Sequence, residues 1–369
     1  MEVHCVTSVR HKSSIETFLS IHRPQKLFIY FIDNRAMRLL SRLPFLGIYL
    51  HYYYWIWASR KKIRHLLGSP GFVHVHHVTY SSIKLGTPLY NLNIKTILGP
   101  LGGGEFPHRS LHKYLGRHLM GIRIKFRIGQ MMAWMNPSVK WSIQSADKIL
   151  TSNAQTKAFV ARYAAIETTQ MFDAGLSEYF VRPFRPKDLS GKIHILWIGR
   201  MLPRKGLTLA IEAINCLPRD FDFHFWILGD GPLKERLRLD VRKAGMESRV
   251  TFMDSVPHES IGDILMSSHL LLFPSIMDSC PMQVFEAFAF GLPVITLNHQ
   301  GMKDQVDESR GIKVRVDDHI NYPNELAQAI IRLVSSETMY QQISHNAYQF
   351  GQEQVWKGRI KSFLDSIYG

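Results

Sequence analysis

From Ile193 onward the chain alternates short apolar runs with amphipathic ones, and glycine-rich turns join them. His194-Ile195-Leu196-Trp197-Ile198 reads as a strand. GRMLPRKG follows from Gly199 to Gly206, and LTLAIEAI then opens a helix. Trp226-Ile227-Leu228 repeats the arrangement through Gly229-Asp230-Gly231-Pro232 into LKERLRLDVRKAG. A strand apolar on both faces must be covered on both sides, so strands alternating with helices predict a parallel sheet inside two helical layers. The first half repeats the pattern. Val3 to Thr7, Lys26 to Ile32, Phe72 to Val78, Thr96 to Leu98 and Lys148 to Thr151 are expected strands. Ser13 to Ile21, Tyr52 to Leu67, Ser110 to Ser145 (mostly) and Gln155 to Tyr163 are expected helices. Pro183, Pro186 and Gly191 mark a linker between two doubly wound α/β domains. The 369 residues suffice for two domains of roughly 150 to 200 residues.

The chemistry concentrates between Pro274 and Gly301. Asp278 and Glu286 stand eight residues apart, separated by Ser279-Cys280-Pro281-Met282. A helix is expected to begin there and to stop at Gly291-Leu292-Pro293. Its N-terminus offers free N–H groups and the positive end of the helix dipole, which suits a phosphate. Helical spacing puts Gln283, Glu286 and Phe290 on one face, away from an apolar face of Val284, Ala287 and Phe288. Arg200 and Lys205 flank a strand-to-helix turn, the place where open α/β sheets bind ligands. Each feature has a plainer reading: two solvated cations, or an aspartate capping a loop. Paired carboxylates also occur in glycosidases, but the Gly-Arg…Lys-Gly context beside an anion site argues against that. Asp220-Phe221-Asp222 resembles a metal-binding DxD, yet its position just before a strand suits a turn.

Taken in order, GRMLPRKG, ILGDGP and FPSIMDSCPMQVFEAFAFGLPVI resemble the C-terminal half of GT-B glycosyltransferases, most of all the retaining family 4 of bacterial capsule and exopolysaccharide synthesis. That family carries a Glu-x7-Glu motif with an Arg and a Lys on the donor diphosphate; here the first acid is Asp278. HVHHVTY (74–80), GPLGGGE (99–105) and NHQGMKDQV extend the resemblance over nearly the whole chain. It implies two Rossmann-like domains facing across a cleft: 1–182 on the acceptor side, 183–350 binding the nucleotide sugar, and 351–369 as a helix returning to the first domain. It further implies donor contacts from Gly199, Arg200, Lys205, Gly229, Asp230, Ser279, Cys280, Pro281, Met282 and Glu286, with Glu286 on the ribose. Catalytic roles fall to His76, Asp278, Arg200 and Lys205. His77, Gly102, Gly103, Gly104 and Glu105 fall on the acceptor side. No metal or other cofactor is expected, because cationic side chains take the place of an ion. The implied reaction moves a sugar from a nucleotide diphosphate donor to a lipid-linked or growing polysaccharide.

One departure concerns the N-terminus. MEVHCVTSVRHKSSIETFL resembles the second strand and helix of such a domain, so the central first strand and its Gly-rich loop are expected to be missing. That leaves a rival reading, a degenerate GT-B protein that binds a membrane or a partner without catalysis. The net charge of +15 favours acidic partners, and no recognised motif points to nucleic acid. Lys113, Arg117, Arg123, Lys125 and Arg127 lie among apolar residues, a pattern suited to an anionic membrane surface. Leu43 to Ala58 is strongly apolar but shorter than the ~20 residues of a span. A buried or interfacial helix is expected there. Cys5, Cys216 and Cys280 form no metal or disulfide spacing. With a polar N-terminus that reads as no signal peptide, the expected location is cytoplasmic, peripheral at the inner face of the cell membrane.

Overall fold

The computed structural model describes residues 2–32, 47–78, 82–163, 166, 168–257 and 260–368. Two expectations reach past these bounds: Leu43 to Pro44, Phe45 and Leu46 of the apolar run, and Thr79-Tyr80 of HVHHVTY, lie outside the described residues.

The C-terminal domain is built on one six-stranded parallel sheet. Its strands are β7 (Ile193–Ile198), β8 (Phe223–Leu228), β9 (Val250–Met253), β10 (Leu270–Leu272), β11 (Val294–Leu297) and β12 (Gly311–Val314). Their spatial order is β12-β11-β10-β7-β8-β9. The direction of winding therefore reverses between β7 and β10. Six residue pairs, Ile193↔Phe223 to Ile198↔Leu228, zip β7 to β8. Helices cover both faces, and Trp197, Phe225, Phe273, Phe285 and Phe288 are wholly buried between the layers.

The N-terminal half contains two separate sheets among the described residues. β1 (Val3–Ser8) pairs in parallel with β2 (Leu27–Ile32). β3 (His74–His77), β4 (Lys95–Leu101), β5 (Lys148–Thr151) and β6 (Thr168–Gln170) form a four-stranded sheet in that order. The C-terminal domain shows what is different. There β7 lies between β8 and β10 and joins the two wings of the sheet. In the N-terminal half, β1–β2 and β3–β6 are the two wings, and no described strand joins them. The consequence is poor burial: helix Lys12–His22 buries no residue. The helix Gly47–Leu67 supports this region by burying Tyr52, Trp55 and Ile56. Its Tyr52 hydroxyl donates to the Gly86 carbonyl at 2.9 Å.

The expected long helix from Ser110 to Ser145 is three helices: His112–Leu115, His118–Met135 and Pro137–Gln144. Gly116, at φ 50°, breaks the first from the second. Pro137 cannot donate to the preceding turn, so a new helix starts with Asn136 as its N-cap. The final helix, Trp356–Tyr368, crosses back to the N-terminal half. Ile367 is buried against Ile97 of β4 and Leu150 of β5. Among the described residues no helix is long and apolar enough to cross a membrane.

Candidate active site

The loop after β7 and the loop after β8 interlock at the C-terminal end of the sheet. Met201 N–H donates to the Asp230 carbonyl at 2.8 Å, and Leu233 N–H to Met201 at 3.3 Å. The approach is so close that a Cβ on Gly229 would lie 2.1 Å from the Gly199 carbonyl oxygen. Around this knot opens a cleft of about 480 Å³. Gly199, Arg200, Gly229, Asp230, Gly231, Ser255 and Gln283 line it. The volume is in the range of sites for small organic ligands. Arg200 is exposed, with no ion-pair partner among the described residues. Asp230 faces Lys234 at 3.7 Å.

The second cluster surrounds Asp278. Pro203–Lys205 forms a 3-10 turn closed by Gly206 at φ 72°. A Cβ on Gly206 would meet the Pro274 carbonyl oxygen at 1.9 Å, so only glycine lets the two loops touch. Ile276 N–H and Met277 N–H donate to the Arg204 carbonyl at 2.8 and 3.1 Å. Thus held, the Lys205 ammonium donates to Asp278 Oδ2 at 2.6 Å. Ser275 Oγ donates to the same oxygen at 2.9 Å, and Arg204 Nη1 lies 3.5 Å from Oδ1. Lys205 is buried, and burial pulls its pKa down while Asp278 pulls it up. Asp278 is therefore the counter-ion of a buried lysine, a role that spacing alone does not reveal. Immediately beyond it the helix Met282–Ala289 starts at Pro281, with no side chain capping its first N–H groups.

Glu286 does not point away from the core as helical spacing suggested. It is only 5 % exposed, while helix Glu337–Glu353 packs on Met282–Ala289 through Phe350 against Phe285 and Phe288. Cys280 is half-buried. It accepts from Gln305 Nε2 at 3.2 Å, and burial, then Asp173, push its thiol pKa well up. It acts as packing rather than as a reactive group. Ser279 faces the other half of the molecule. The Cα substituent direction of Gly102 points at Ser279 Oγ, 3.4 Å from an ideal Cβ.

The glycine-rich loop thus meets the Ser279 loop, but its acid looks inward. Glu105 is buried and accepts from Asn153 Nδ2, from Thr156 Oγ1 at 3.3 Å and from Gly103 N–H at 2.9 Å. These bonds fold the loop, and they leave Glu105 as its internal brace. A further bridge joins the halves where Ala154 N–H donates to Asp304 at 3.1 Å.

The histidines are not where the resemblance put them. His76 makes contacts through both ring nitrogens, to Tyr368 OH at 2.6 Å and to the Gly99 carbonyl at 2.7 Å. It faces the returning helix and not a donor. His77 is buried beside Trp55, and burial lowers its pKa to about 4, helped by His76. The cavity beside it is about 10 Å³, the size of one water and far too small for a sugar. Asp220 to Asp222 sits before β8, at the end of the sheet opposite the cleft, with Asp222 3.8 Å from Lys192.

Sequence reasoning gave no role to Arg204, Ser275 or Gln300. Gln300 holds a left-handed backbone at φ 51°, and its Oε1 accepts from Asp278 N–H at 2.9 Å. The turn is forced by Gly301, where a Cβ would lie 1.8 Å from the Ser279 carbonyl oxygen. The run Gln-Gly in NHQG was the available signal: a residue preceding an obligatory glycine in a loop.

Comparison with known proteins agrees with this layout. Residues 183–350 match the family described as glycosyl transferases group 1. An uncharacterised glycosyltransferase of Methanocaldococcus jannaschii is 26% identical over 163 residues, which are 44% of this chain and 44% of the relative. The amylovoran biosynthesis glycosyltransferase AmsK of Erwinia amylovora is 30% identical over 124 residues, 32% of this chain and 30% of the relative. The chain thus spans less than half the length of these curated relatives. Among solved structures, Anabaena HepE in complex with UDP aligns over 100% of both chains, with a TM-score of 0.63 and 14% identity. At that identity the likeness shows the fold, two parallel α/β domains of GT-B type.

Proposed function

We propose, from the premise that residues 183–350 form a group 1 glycosyltransferase domain, that this chain is a retaining glycosyltransferase of the family 4 type. Its donor is a nucleotide diphosphate sugar, and UDP is the first nucleotide to test because the fold neighbour binds it. Its acceptor is a lipid-linked or growing polysaccharide, in keeping with the amylovoran biosynthesis of one relative. The observation that carries the reading is the 480 Å³ cleft over the C-terminal ends of β7 and β8, with Arg200, which has no ion-pair partner among the described residues, on its wall. The same loop carries Arg204 and Lys205, and Gln283 on the cleft wall belongs to the uncapped first turn of the helix Met282–Ala289.

In this reading Arg200, Lys205 and the N–H groups of Met282 and Gln283 stabilise the departing diphosphate, in place of a metal ion. Glu286 follows Gln283 by three residues on the same helix, so it reaches the cleft wall that Gln283 lines and accepts from ribose hydroxyls. The anomeric C–O bond to phosphate breaks and a bond to the acceptor hydroxyl oxygen forms on the same face. The acceptor proton passes to the departing phosphate oxygen, and no protein nucleophile is needed. The protein works at the cytoplasmic membrane surface, where a lipid-linked acceptor is presented.

Two measurements test this. Calorimetric titration should show UDP binding that weakens roughly 10- to 100-fold in Arg200→Ala, the range of a lost charged hydrogen bond. A panel of nucleotide sugars with a polyprenyl-phosphate-linked glycan should show nucleoside diphosphate release. Unchanged nucleotide affinity in Arg200→Ala would overturn the site. A second reading, a non-catalytic GT-B binding protein, is favoured by the unjoined N-terminal sheets. It predicts nucleotide binding with no release for any donor.

A further inference from the structure

The helix His118–Met135 is apolar on two opposite sides. One side packs inward: Ala133 is buried, Leu119 and Ile122 touch the main core, and Phe126 lies 4.7 Å from Phe106. The opposite side holds Met120, Ile124, Ile128, Met131 and Met135, spaced by three or four residues. All are exposed, and Trp134 beside them is 80 % exposed. Polar water is a poor partner for so continuous an apolar face on a long helix.

The charges around it select the partner. No Asp or Glu occurs between Glu105 and Asp147. Arg117, Arg123, Lys125 and Arg127 are exposed, and Arg123 and Lys125 flank the apolar face on its two sides. The other aromatic run is not available for the same task, because Tyr52, Trp55 and Ile56 are buried. Position adds a further argument. The preceding helix, His112–Leu115, buries Tyr114 and Leu115 in the core that contains Met201 and Leu207. The apolar helix is thus tethered directly to the turn that bears Lys205.

We propose that the outward face of His118–Met135 lies in the interfacial layer of an anionic bilayer, with Met120, Ile124, Ile128, Met131 and Trp134 among the acyl chains and the flanking cations on lipid phosphates. The proposal rests on the reading of a membrane-presented acceptor and names the element that docks. It brings the donor turn to a fixed height above the lipid surface, where a lipid-linked acceptor emerges.

The test uses the full chain with two kinds of vesicle, phosphatidylcholine alone and phosphatidylcholine mixed with phosphatidylglycerol. Co-sedimentation should be strong only with the mixed vesicles. It should weaken roughly fivefold for each of Arg123→Gln and Lys125→Gln and fall further at high salt, which shortens the screening length from about 8 Å. Ile128→Asp should abolish it. Acyl-chain-brominated lipid should quench tryptophan emission in the parent chain and much less in Trp134→Phe. Wild-type binding in Ile128→Asp, or equal binding to neutral vesicles, overturns the proposal. So does a dimer that Ile128→Asp splits, with no vesicle binding: the face would then belong to a second copy. UDP titration of the same variants separates the two readings. Vesicle binding without UDP binding keeps this inference and rejects the donor site; UDP binding without vesicle binding does the reverse.

Discussion

At the scale of single residues, the two cations assigned to the donor behave differently. Arg200 is free among the described residues, whereas Lys205 is locked to Asp278 in a site that excludes most water. Removing one member of a buried pair leaves the other charge unpaired, at roughly 3 to 5 kcal/mol. Lys205→Ala is therefore expected to lower unfolding stability by about 3 kcal/mol, as well as donor binding. In the double variant Lys205→Met with Asp278→Asn, stability should largely return while donor binding does not. Urea unfolding midpoints check this; equal midpoints for the parent and Lys205→Ala would show that the pair carries no structural weight. Both residues were legible in the sequence as chemistry. Their mutual contact was not, since 73 positions separate them. His76 and Glu105 teach the same lesson: a polar residue in a suggestive motif was consumed by a partner far along the chain.

At the scale of elements, periodicity identified strands and helices well where both faces or one face were uniformly apolar. It located breaks less well. The 110–145 region carries helical spacing throughout, and Gly116 and Pro137 cut it for local backbone reasons. The returning helix Trp356–Tyr368 is the element whose placement matters most across the molecule. Its Ile367 fills a slot between β4 and β5, and its Tyr368 meets His76 on β3. Ile367→Ala should cost about 2 to 4 kcal/mol, the range for truncating a buried aliphatic side chain. Nucleotide affinity should stay unchanged, because the cleft lined by Arg200 and Gln283 lies wholly in the other domain. Chemical denaturation with parallel UDP titration measures both. A parallel loss of nucleotide affinity would mean that this helix also sets the cleft.

At the scale of the whole molecule, the two halves are unequal. The C-terminal sheet is continuous through β7, and its core includes Leu111, Tyr114, Leu115 and Phe180 from outside the matched family segment. The N-terminal wings β1–β2 and β3–β6 are not hydrogen-bonded to each other. Strand edges without partners open readily. Amide hydrogen exchange should therefore find 3–32 among the least protected segments and β7 and β8 the last to exchange. Uniform protection through both halves would contradict the division. If 3–32 exchange fast while UDP still binds, the C-terminal domain is shown to be independent of the N-terminal wing.

Residue pattern alone sufficed for the fold class, the alternation of strands and helices, and the Gly-rich turns that follow β7 and β8. All of these follow from local periodicity, glycine and proline positions, and charges placed at strand ends. The sequence also led to the expectation that the first strand and its Gly-rich loop are missing; among the described residues no strand joins β1–β2 to β3–β6. Only the tertiary structure decided which polar groups are spoken for. Lys205 with Asp278, His76 with Tyr368, and Glu105 with Asn153 are pairings across 48 to 292 positions. Likewise only packing decided that Tyr52, Trp55 and Ile56 are interior and that the face from Met120 to Met135 is not. An amphipathic pattern states that a face is apolar. What covers it depends on which other elements arrive there, and distance along the chain does not encode that.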